Sequence, residues 1–213
     1  MKTPSRSAAD DPRHGCRCEL PGADVRYLAQ AFDGRQADRL FAALQSEIAW
    51  ERHRVRLFGR EIEAPRLSSW IGDPAASYRY SGTRFVPHPW TPTLARLRDD
   101  LNERLDARFN SVLANLYRDG RDSMGWHSDD EPELGECPRI AALSFGAVRR
   151  LRFRGRDDAG HSLVLAPAHG SLLLMAGDTQ RRYRHRVPAT AAAVGPRISL
   201  TFRAIVPLRA ERR

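Results

Sequence analysis

Cysteine and long apolar runs are both scarce in this 213-residue sequence. The three cysteines, Cys16, Cys18 and Cys137, are an odd number without paired spacing, and no apolar segment typical of a secretion signal precedes them. A disulfide-stabilised secreted domain is therefore not expected. No run reaches the roughly 18 apolar residues that a membrane helix needs. These absences predict a cytoplasmic protein with no membrane partner, and we expect a monomer.

Internal repeats and glycine-rich phosphate loops are also missing, and lysine is nearly so. Without such a loop, binding of a nucleoside triphosphate is not predicted. A single lysine accompanies 34 arginines, and the formal net charge is +9. This charge favours polyanionic partners, nucleic acid above all, through phosphate contacts and counterion release. Because the arginine excess can also reflect coding bias, a generic basic surface is the alternative.

Residues 1–24 are polar and rich in turn-forming residues, which predicts a flexible leader. The tract "HGCRC" within it has the composition of a metal-binding tract, but we expect it to be frayed. Residues 25–213 are predicted to form one domain. Its first helix begins near Asp33 as N-cap, and a second, supporting helix occupies residues 91–108, capped by Thr91. The apolar face of the second helix carries Leu94, Leu97, Leu101 and Leu105.

From residue 109 to residue 207 the apolar pattern has a period of two, in short segments separated by glycine and proline. Such segments are typical of strands. They are "RFNSVLANLYR", "PRIAALSFG", "VRRLRFRGR", "HSLVLAPA", "GSLLLMAG", "RYRHRVP" and "PRISLTFRAIVP". Seven strands in about 100 residues indicate a mainly β fold, a sandwich, jelly roll or barrel, with flanking N-terminal helices.

The stretch "WHSDDEPELGE" gathers acidic residues behind a histidine in an otherwise basic chain. In an extended backbone His127 and Asp129 point to the same side. One imidazole and one carboxylate, joined by a second histidine, form the facial triad that holds non-haem Fe(II). The alternatives are a solvated acidic turn and a calcium loop, although the calcium loop's glycine and closing glutamate are missing at the required offsets.

The third ligand is not fixed by spacing, because several histidines are available. His161 and His169 lie beside glycines, as turn residues do. His185 shares its face of a predicted strand with Tyr183 and Val187, which suits a side chain that points inward. We therefore favour His185.

The last predicted strand offers a site for a small diacid. Its Arg197 and Arg203 share one face with Ser199 and Thr201, while apolar residues alternate on the other face. Arginine holds carboxylates by paired, charge-assisted hydrogen bonds. A surface strand with two solvated arginines is the alternative.

These residues resemble those of the AlkB-type Fe(II)- and 2-oxoglutarate-dependent dioxygenases, the oxidative demethylases of alkylated nucleic acid. The resemblance covers about residues 55 to 207. Its motifs here are "PRLSSWIGD", "YRYSG", "FNSVLANLYRDGRDSMGWHSDDEPELG", "PRIAALSFGA", "HGSLLLM", "HRVP" and "PRISLTFR". It implies a double-stranded β-helix, or jelly roll, over residues 109–207. Residues 25–90 would then hold the first helix, a nucleotide-recognition lid and a hairpin.

The resemblance also implies a site and a reaction. The iron ligands would be His127, Asp129 and His185. The residues binding 2-oxoglutarate would be Asn115, Tyr117, Arg197 and Arg203. In the family, 2-oxoglutarate is decarboxylated to succinate and carbon dioxide while an N-methyl group is hydroxylated, and the hydroxymethyl product then releases formaldehyde.

Four further residues are implied to contact the substrate. Tyr78 and Tyr80 would stack on a base flipped out of the helix, and Glu131 would contact that base. Phe58, in the hairpin "VRLFGREIEAP", would be the apolar wedge that enters the base stack of a duplex. Ordinary strand packing of the tyrosines, and folding of Phe58 onto the core, are the alternatives.

A row of arginines lies on one predicted strand. Arg150, Arg152, Arg154 and Arg156 alternate with apolar residues. They would form either a phosphate-facing row or an edge strand that is protected by charge.

The function expected from the resemblance is oxidative demethylation of 1-methyladenine and 3-methylcytosine type lesions. The substrate is DNA, single- or double-stranded, with RNA as a second candidate. Alternatives are an oxygenase that acts on RNA modifications or on protein, and a nucleic-acid-binding module without turnover.

Overall fold

The computed structural model describes residues 15–57, 60–76, 78–80, 83–157 and 160–206. The helices are Gly34–Glu47 (α1), Pro92–Leu105 (α2) and Thr179–Arg182 (α3), with a 3-10 turn at Pro132–Leu134. The strands are Cys16–Arg17 (β1), Asp24–Leu28 (β2), Arg54–Leu57 (β3), Arg60–Glu63 (β4), Leu67–Gly72 (β5), Tyr78–Tyr80 (β6), Thr83–Phe85 (β7), Ser111–Tyr117 (β8), Met124–His127 (β9), Ile140–Gly146 (β10), Leu151–Gly155 (β11), Ser162–Leu165 (β12), Ser171–Ala176 (β13), Tyr183–Val187 (β14) and Arg197–Arg203 (β15).

Two antiparallel sheets form the body of the molecule. The larger sheet has the order β1-β2-β13-β10-β15-β8-β5, and the smaller has the order β12-β11-β14-β9. Two separate hairpins pair β3 with β4 and β6 with β7. The seven strands predicted from the period-two pattern are all present, so the mainly β prediction is confirmed.

Alternation along each strand divides the residues between two apolar layers. On β15, Ile198, Leu200 and Phe202 face the helices and pack in the core beneath α1 and α2. A second core lies between the sheets and includes Phe153 and Tyr183 from the smaller sheet. The polar residues that alternate with these apolar ones on β15 are thereby directed between the two sheets.

Both long helices begin at the predicted caps. Asp33 accepts a hydrogen bond from the backbone of Gln36, whose side chain bonds back to the Asp33 backbone. The Thr91 hydroxyl accepts from the Leu94 backbone, and Pro92 takes the first position of α2. These caps satisfy backbone donors that the first helical turn leaves open. None of the helices that the structure describes is both long and apolar enough to span a membrane.

The prediction of a flexible leader up to residue 24 is wrong for its last ten residues. Within residues 15–24, β1 pairs with the following strand, β2, which in turn pairs with β13 in the larger sheet. Leu20 is buried in the core between the sheets, as is Val25 just beyond. Strands this short carry little period-two pattern, and the partner of β2 in the larger sheet, β13, lies some 150 residues away in sequence. The sequence-local pattern therefore could not reveal them.

The strand β11, which carries the row of arginines, lies inside the smaller sheet between β12 and β14. The alternative that treated this row as an edge strand is therefore wrong.

Candidate active site

A cavity lies between the two sheets, with an empty volume of about 550 Å³ including the part open to solvent. Strands from both sheets contribute its polar lining. These residues are Asn115, Tyr117, His127, Asp129, Ser144, His185, Arg197, Ser199, Thr201 and Arg203. The structure thus brings together all seven residues that the resemblance assigned to iron and 2-oxoglutarate.

Two histidines and one aspartate meet at the smaller sheet. The possible ligand atoms of His127, Asp129 and His185 all lie within 4.8 Å of one another. His127 and His185 are directly paired across β9 and β14, and their ring centroids are 4.2 Å apart. Within the described part of the chain, no other group of three His, Cys, Asp or Glu side chains is placed to hold a metal.

A β-bulge orients the histidine of β9. The pairing of β9 with β14 shifts between His185, opposite His127, and Val187, opposite Met124. The three residue positions from Met124 to His127 on β9 therefore lie opposite only two positions on β14, so the side chains of Met124 and His127 both face the cavity. Trp126 stacks instead with arginines that point away from the cavity. The short segment "MGWH" gives no period-two pattern, which explains why this strand was not among those predicted.

Both imidazoles are neutral and suited to bind a metal. The Nδ1 atom of His127 lies 2.9 Å from the carbonyl oxygen of Gly125. Since a carbonyl only accepts, Nδ1 carries the proton and Nε2 is left as the metal donor. Burial lowers the pKa of His127, outweighing the opposing charge of Asp129. Burial, with the nearby His127, lowers the pKa of His185 to about 3.

Asp129 is held in the ionised form that a metal ligand requires. Burial alone would raise its pKa, but the positive charge of Arg203 outweighs burial and lowers the pKa. One carboxylate oxygen accepts a hydrogen bond from Arg203, and the other lies 3.6 Å from Nε2 of His185. The backbone N–H of Asp129 donates to the side-chain oxygen of Gln180, at 3.0 Å.

Sequence reasoning missed Gln180. This side chain is buried on the four-residue helix α3, 51 residues after Asp129 in the chain. No local pattern links the two positions, so their contact becomes visible only in the fold. Two neutral imidazoles with one carboxylate fit the donor set of a 2-His-1-carboxylate iron site.

Arg197 provides the second half of the site. Its side chain is buried on β15, and Nη2 donates to the hydroxyl of Ser144 at 2.9 Å. The guanidinium also lies over the Tyr117 ring, 5.3 Å from the centroid. Within the described chain, its Nε and Nη1 atoms are buried without a hydrogen-bond partner. A buried donor left open is costly, so the cavity fits a ligand with a carboxylate at this end.

Asn115 is held by another arginine that the sequence did not single out. Its side-chain oxygen accepts a hydrogen bond from Nε of Arg66, at 2.7 Å. Arg66 directly precedes β5, the edge strand that pairs with β8. The two residues are 49 positions apart in sequence, so spacing along the chain could not have indicated the contact.

Of the four residues expected to contact the substrate, the structure describes the side chain of Glu131 and the backbone of Tyr78 and Tyr80. Glu131 follows Asp129 by two residues, and its Oε2 atom is buried with no hydrogen-bond partner in the described chain. Burial raises its pKa despite the charge of Arg203. Tyr78 and Tyr80 lie on the backbone of β6, opposite Phe85 and Thr83. Phe58 lies outside the described residues, so its predicted role stays a prediction.

Comparison with known proteins places these residues in a family context. A family model described as the 2OG-Fe(II) oxygenase superfamily matches residues 24–203. The alpha-ketoglutarate-dependent dioxygenase alkB homolog 3 of Bos taurus is 40% identical over 184 residues, 82% of this chain. The chain spans 64% of the length of that relative. The DNA oxidative demethylase ALKBH2 of Mus musculus is 36% identical over 217 residues, which cover 93% of this chain and 91% of the relative.

Solved structures share the fold at low identity. OsALKBH1 superposes with a TM-score of 0.60 at 13% identity, covering 88% of this chain and 98% of its own. An oxidoreductase of the 2OG-Fe(II) oxygenase family from Burkholderia pseudomallei gives 0.58 at 17% identity, covering 89% of each chain. The two facing sheets are therefore the double-stranded β-helix, or jelly roll, expected from the sequence.

Proposed function

Because the chain belongs to the 2OG-Fe(II) oxygenase superfamily, we propose that it oxidatively demethylates N-alkylated bases in DNA. The cofactors are iron(II) and the cosubstrate 2-oxoglutarate, with dioxygen as the oxidant. The products are the repaired base, formaldehyde, succinate and carbon dioxide. RNA is a second candidate substrate. Support comes from relatives that are named for 2-oxoglutarate-dependent dioxygenation and for DNA demethylation.

One observation carries the proposal: a His-Asp-His group with neutral imidazoles and an ionised carboxylate lines a single cavity together with a buried arginine that has open donors. His127, Asp129 and His185 would hold iron(II), and the carboxylate of 2-oxoglutarate would accept hydrogen bonds from Arg197. Bound iron(II), with 2-oxoglutarate as the two-electron donor, would supply the chemistry by which dioxygen hydroxylates the N-methyl group. The protein's own residues position these groups, keep the imidazoles neutral and keep Asp129 ionised.

The residues next to the metal group suit a cationic base. A base methylated on its pairing edge can carry a positive charge, and a carboxylate close by stabilises it. Glu131 offers a buried oxygen without a hydrogen-bond partner in the described chain. With Tyr78 and Tyr80 stacking on the base, this carboxylate would select bases over other methylated groups. A base inside a duplex must leave the stack to reach the metal group.

The protein is further proposed to act as a cytoplasmic monomer. Cys16, Cys18 and Cys137 all lie in the described chain, and no disulfide joins them. This agrees with a reducing compartment.

The test is a turnover assay. Purified protein is incubated with Fe(II), ascorbate and 2-oxoglutarate, together with oligonucleotides that carry 1-methyladenine or 3-methylcytosine, as single strands and as duplexes. We expect formaldehyde to be released in step with succinate. The matched controls are the same oligonucleotides without methylation and the variant His127→Ala, which should lose turnover but keep most of its oligonucleotide affinity. A wild-type protein that binds metal yet releases no formaldehyde from any methylated oligonucleotide would refute the assignment.

A further inference from the structure

The outer face of the smaller sheet carries four arginines in a compact array. On β11 and β14 the apolar and ligand residues, such as Phe153 and His185, point inward, so the alternating arginines point outward. Arg152 lies directly opposite Arg186, and Arg154 lies directly opposite Arg184. We call these four residues the arginine block.

The arginine block brings like charges together without neutralising them. Residues directly opposite each other on antiparallel strands have Cβ atoms about 5 Å apart, and like charges there destabilise a sheet. In the described ranges, no carboxylate forms an ion pair with any of the four arginines. On the far side of β11, the residues opposite Arg152 and Arg154 are Val164 and Ser162, neither of which is charged.

Some other surface arginines of this chain are neutralised by carboxylates. Arg98, Arg118 and Arg121 each pair with a nearby aspartate. At the border of the arginine block, Arg156 pairs with Asp130. Within the block, by contrast, four arginines without an ion pair in the described ranges lie directly opposite one another on two adjacent strands, and an anionic partner would offset their repulsion.

A tryptophan holds two members of the arginine block in place. The guanidinium groups of Arg154 and Arg186 both lie over the ring of Trp126, with their central carbons 4.3 and 4.6 Å from the ring centroid. Contact of this kind limits the orientations of both guanidinium groups, and Nε of Arg186 is buried without a hydrogen-bond partner in the described chain. Planar guanidinium groups with fixed orientation suit the paired oxygens of a phosphate.

The arginine block is rigidly connected to the metal group. His127 and His185 lie on the same two strands as Trp126 and Arg186, but they face the cavity. A strand of nucleic acid held on the outer face would therefore have a fixed position relative to the cavity. Phosphate contacts of this type position the backbone without reading its sequence.

We propose that the arginine block binds the phosphate backbone of the nucleic-acid strand that carries the target base. This inference rests on the proposed function and adds the surface that supplies sequence-independent affinity. The charge of the block, its lack of ion pairs within the described chain and its stacked tryptophan all favour phosphate over an apolar partner.

The double variant Arg152→Gln/Arg184→Gln tests the block while leaving the two stacked arginines unchanged. The matched control is Arg35→Gln/Arg39→Gln, which removes the same charge from exposed positions on α1, at the other side of the larger sheet. Binding of a labelled, unmethylated single-stranded oligonucleotide is measured by fluorescence anisotropy between 0.05 and about 0.5 M salt, a range over which phosphate contacts weaken strongly.

Each phosphate contact to a single strand contributes about 0.7 to the slope of log affinity against log salt. The slope for Arg152→Gln/Arg184→Gln should therefore be smaller in magnitude than that for wild type by about 1.4. At about 0.1 M salt this corresponds to binding roughly 20-fold weaker than wild type, with the two curves converging towards 1 M. The α1 control should stay within about twofold of wild type, because it removes charge without removing a phosphate contact. An equal loss in both variants would overturn the proposal, since it would reflect net charge alone.

Two further measurements separate binding from folding. The variant Arg152→Lys/Arg184→Lys keeps both charges and should keep most of the salt slope, and a full loss there would overturn the proposal. The glutamine variant should unfold at the same temperature as wild type or higher, because it relieves repulsion. A lower unfolding temperature would show that the arginines stabilise the sheet, against the proposal.

The same wild-type preparation is assayed for formaldehyde release from methylated oligonucleotide. Release by wild type together with an unchanged salt slope in the glutamine variant would overturn this inference alone. Absence of release would instead refute the proposed function. Loss of binding to anionic phospholipid vesicles, with oligonucleotide binding unchanged, would assign the block to a membrane surface and overturn the proposal.

Discussion

The guanidinium nitrogens of Arg197 determine which kind of ligand this end of the cavity can bind. Arg197 keeps two guanidinium nitrogens buried without a hydrogen-bond partner in the described chain, at the end of the cavity where Ser144 and Tyr117 hold the side chain. The ordering of the guanidinium before a ligand arrives lowers the entropy cost of binding. The affinity for a diacid should therefore depend on the planar shape of the Arg197 guanidinium as well as on its positive charge.

We expect Arg197→Lys to raise the KM for 2-oxoglutarate by about 10- to 100-fold, because lysine keeps the charge but cannot form the paired hydrogen bonds. The kcat at saturating cosubstrate should fall much less. Steady-state succinate formation at varied 2-oxoglutarate measures both values. Arg121→Lys, at an arginine whose side chain is 90% exposed, is the control and should match wild type. A KM within twofold of wild type for Arg197→Lys would speak against the assigned pocket.

Gln180 acts through Asp129. We expect Gln180→Met, which removes the acceptor for the Asp129 backbone N–H, to weaken metal binding by about 10- to 100-fold, the usual cost of losing a group that orients a metal ligand. The affinity for Mn²⁺, a redox-inert replacement for Fe(II), measures this directly without turnover. An unchanged Mn²⁺ affinity would show that Gln180 does not position the ligand.

At the level of elements, strand alternation was the most informative part of the sequence. It placed Arg197 and Arg203 on one face of β15 and His185 on the inner face of β14, as the structure confirms. It failed at β9, where a bulge changes which residues face inward. It also failed at β2, which is short and joins the sheet through a distant partner. Patterns within one strand can be predicted from sequence, whereas bulges and long-range pairings depend on the neighbouring strand.

The turn between β8 and β9 depends on a buried carboxylate. Asp122 accepts hydrogen bonds from the backbone N–H and the guanidinium of Arg118. Burial alone would raise its pKa, but these bonds outweigh burial and lower it. Because the pKa in the folded state lies below the unfolded value of about 3.9, the carboxylate stabilises the fold above that value. This stabilisation is lost as the pH falls through the folded-state pKa.

We expect Asp122→Asn to lower the free energy of unfolding by about 1 to 2 kcal/mol at neutral pH, a value reduced for the partial exposure of Arg118. The difference from wild type should shrink below about pH 4, where wild-type Asp122 begins to take up a proton. Urea unfolding at pH 7 and at about pH 3 tests this. Asp119→Asn is the control, since Asp119 pairs with the exposed Arg121. A difference independent of pH would contradict this role for Asp122.

At the scale of the whole molecule, positive charge dominates the surface and also enters the cavity. The chain carries a net charge of +9, its arginine block faces outward, and the cavity combines Arg197 and Arg203 with the ionised Asp129. The overall preference for polyanions was therefore predictable from composition. The position of the block was not, because it requires Trp126 and two separate strands to come together.

The family resemblance identified the seven residues that now line the cavity, but it could not show what holds them. Gln180 and Arg66 contact Asp129 and Asn115 across 51 and 49 positions of sequence. These supporting residues have no characteristic spacing, since their contacts arise only after the sheets have formed. Sequence motifs therefore identify the residues that line the site, whereas the residues that support them become visible only in the fold.

The central claim is that one cavity holds a metal and a diacid side by side, so their binding must be linked. Anaerobic calorimetry of 2-oxoglutarate binding, with and without saturating Mn²⁺, measures that linkage directly. We predict at least about a tenfold gain in 2-oxoglutarate affinity with metal, a coupling in the usual range, and loss of that gain in Asp129→Ala. Equal affinity for 2-oxoglutarate with and without metal in the wild-type protein would contradict the account.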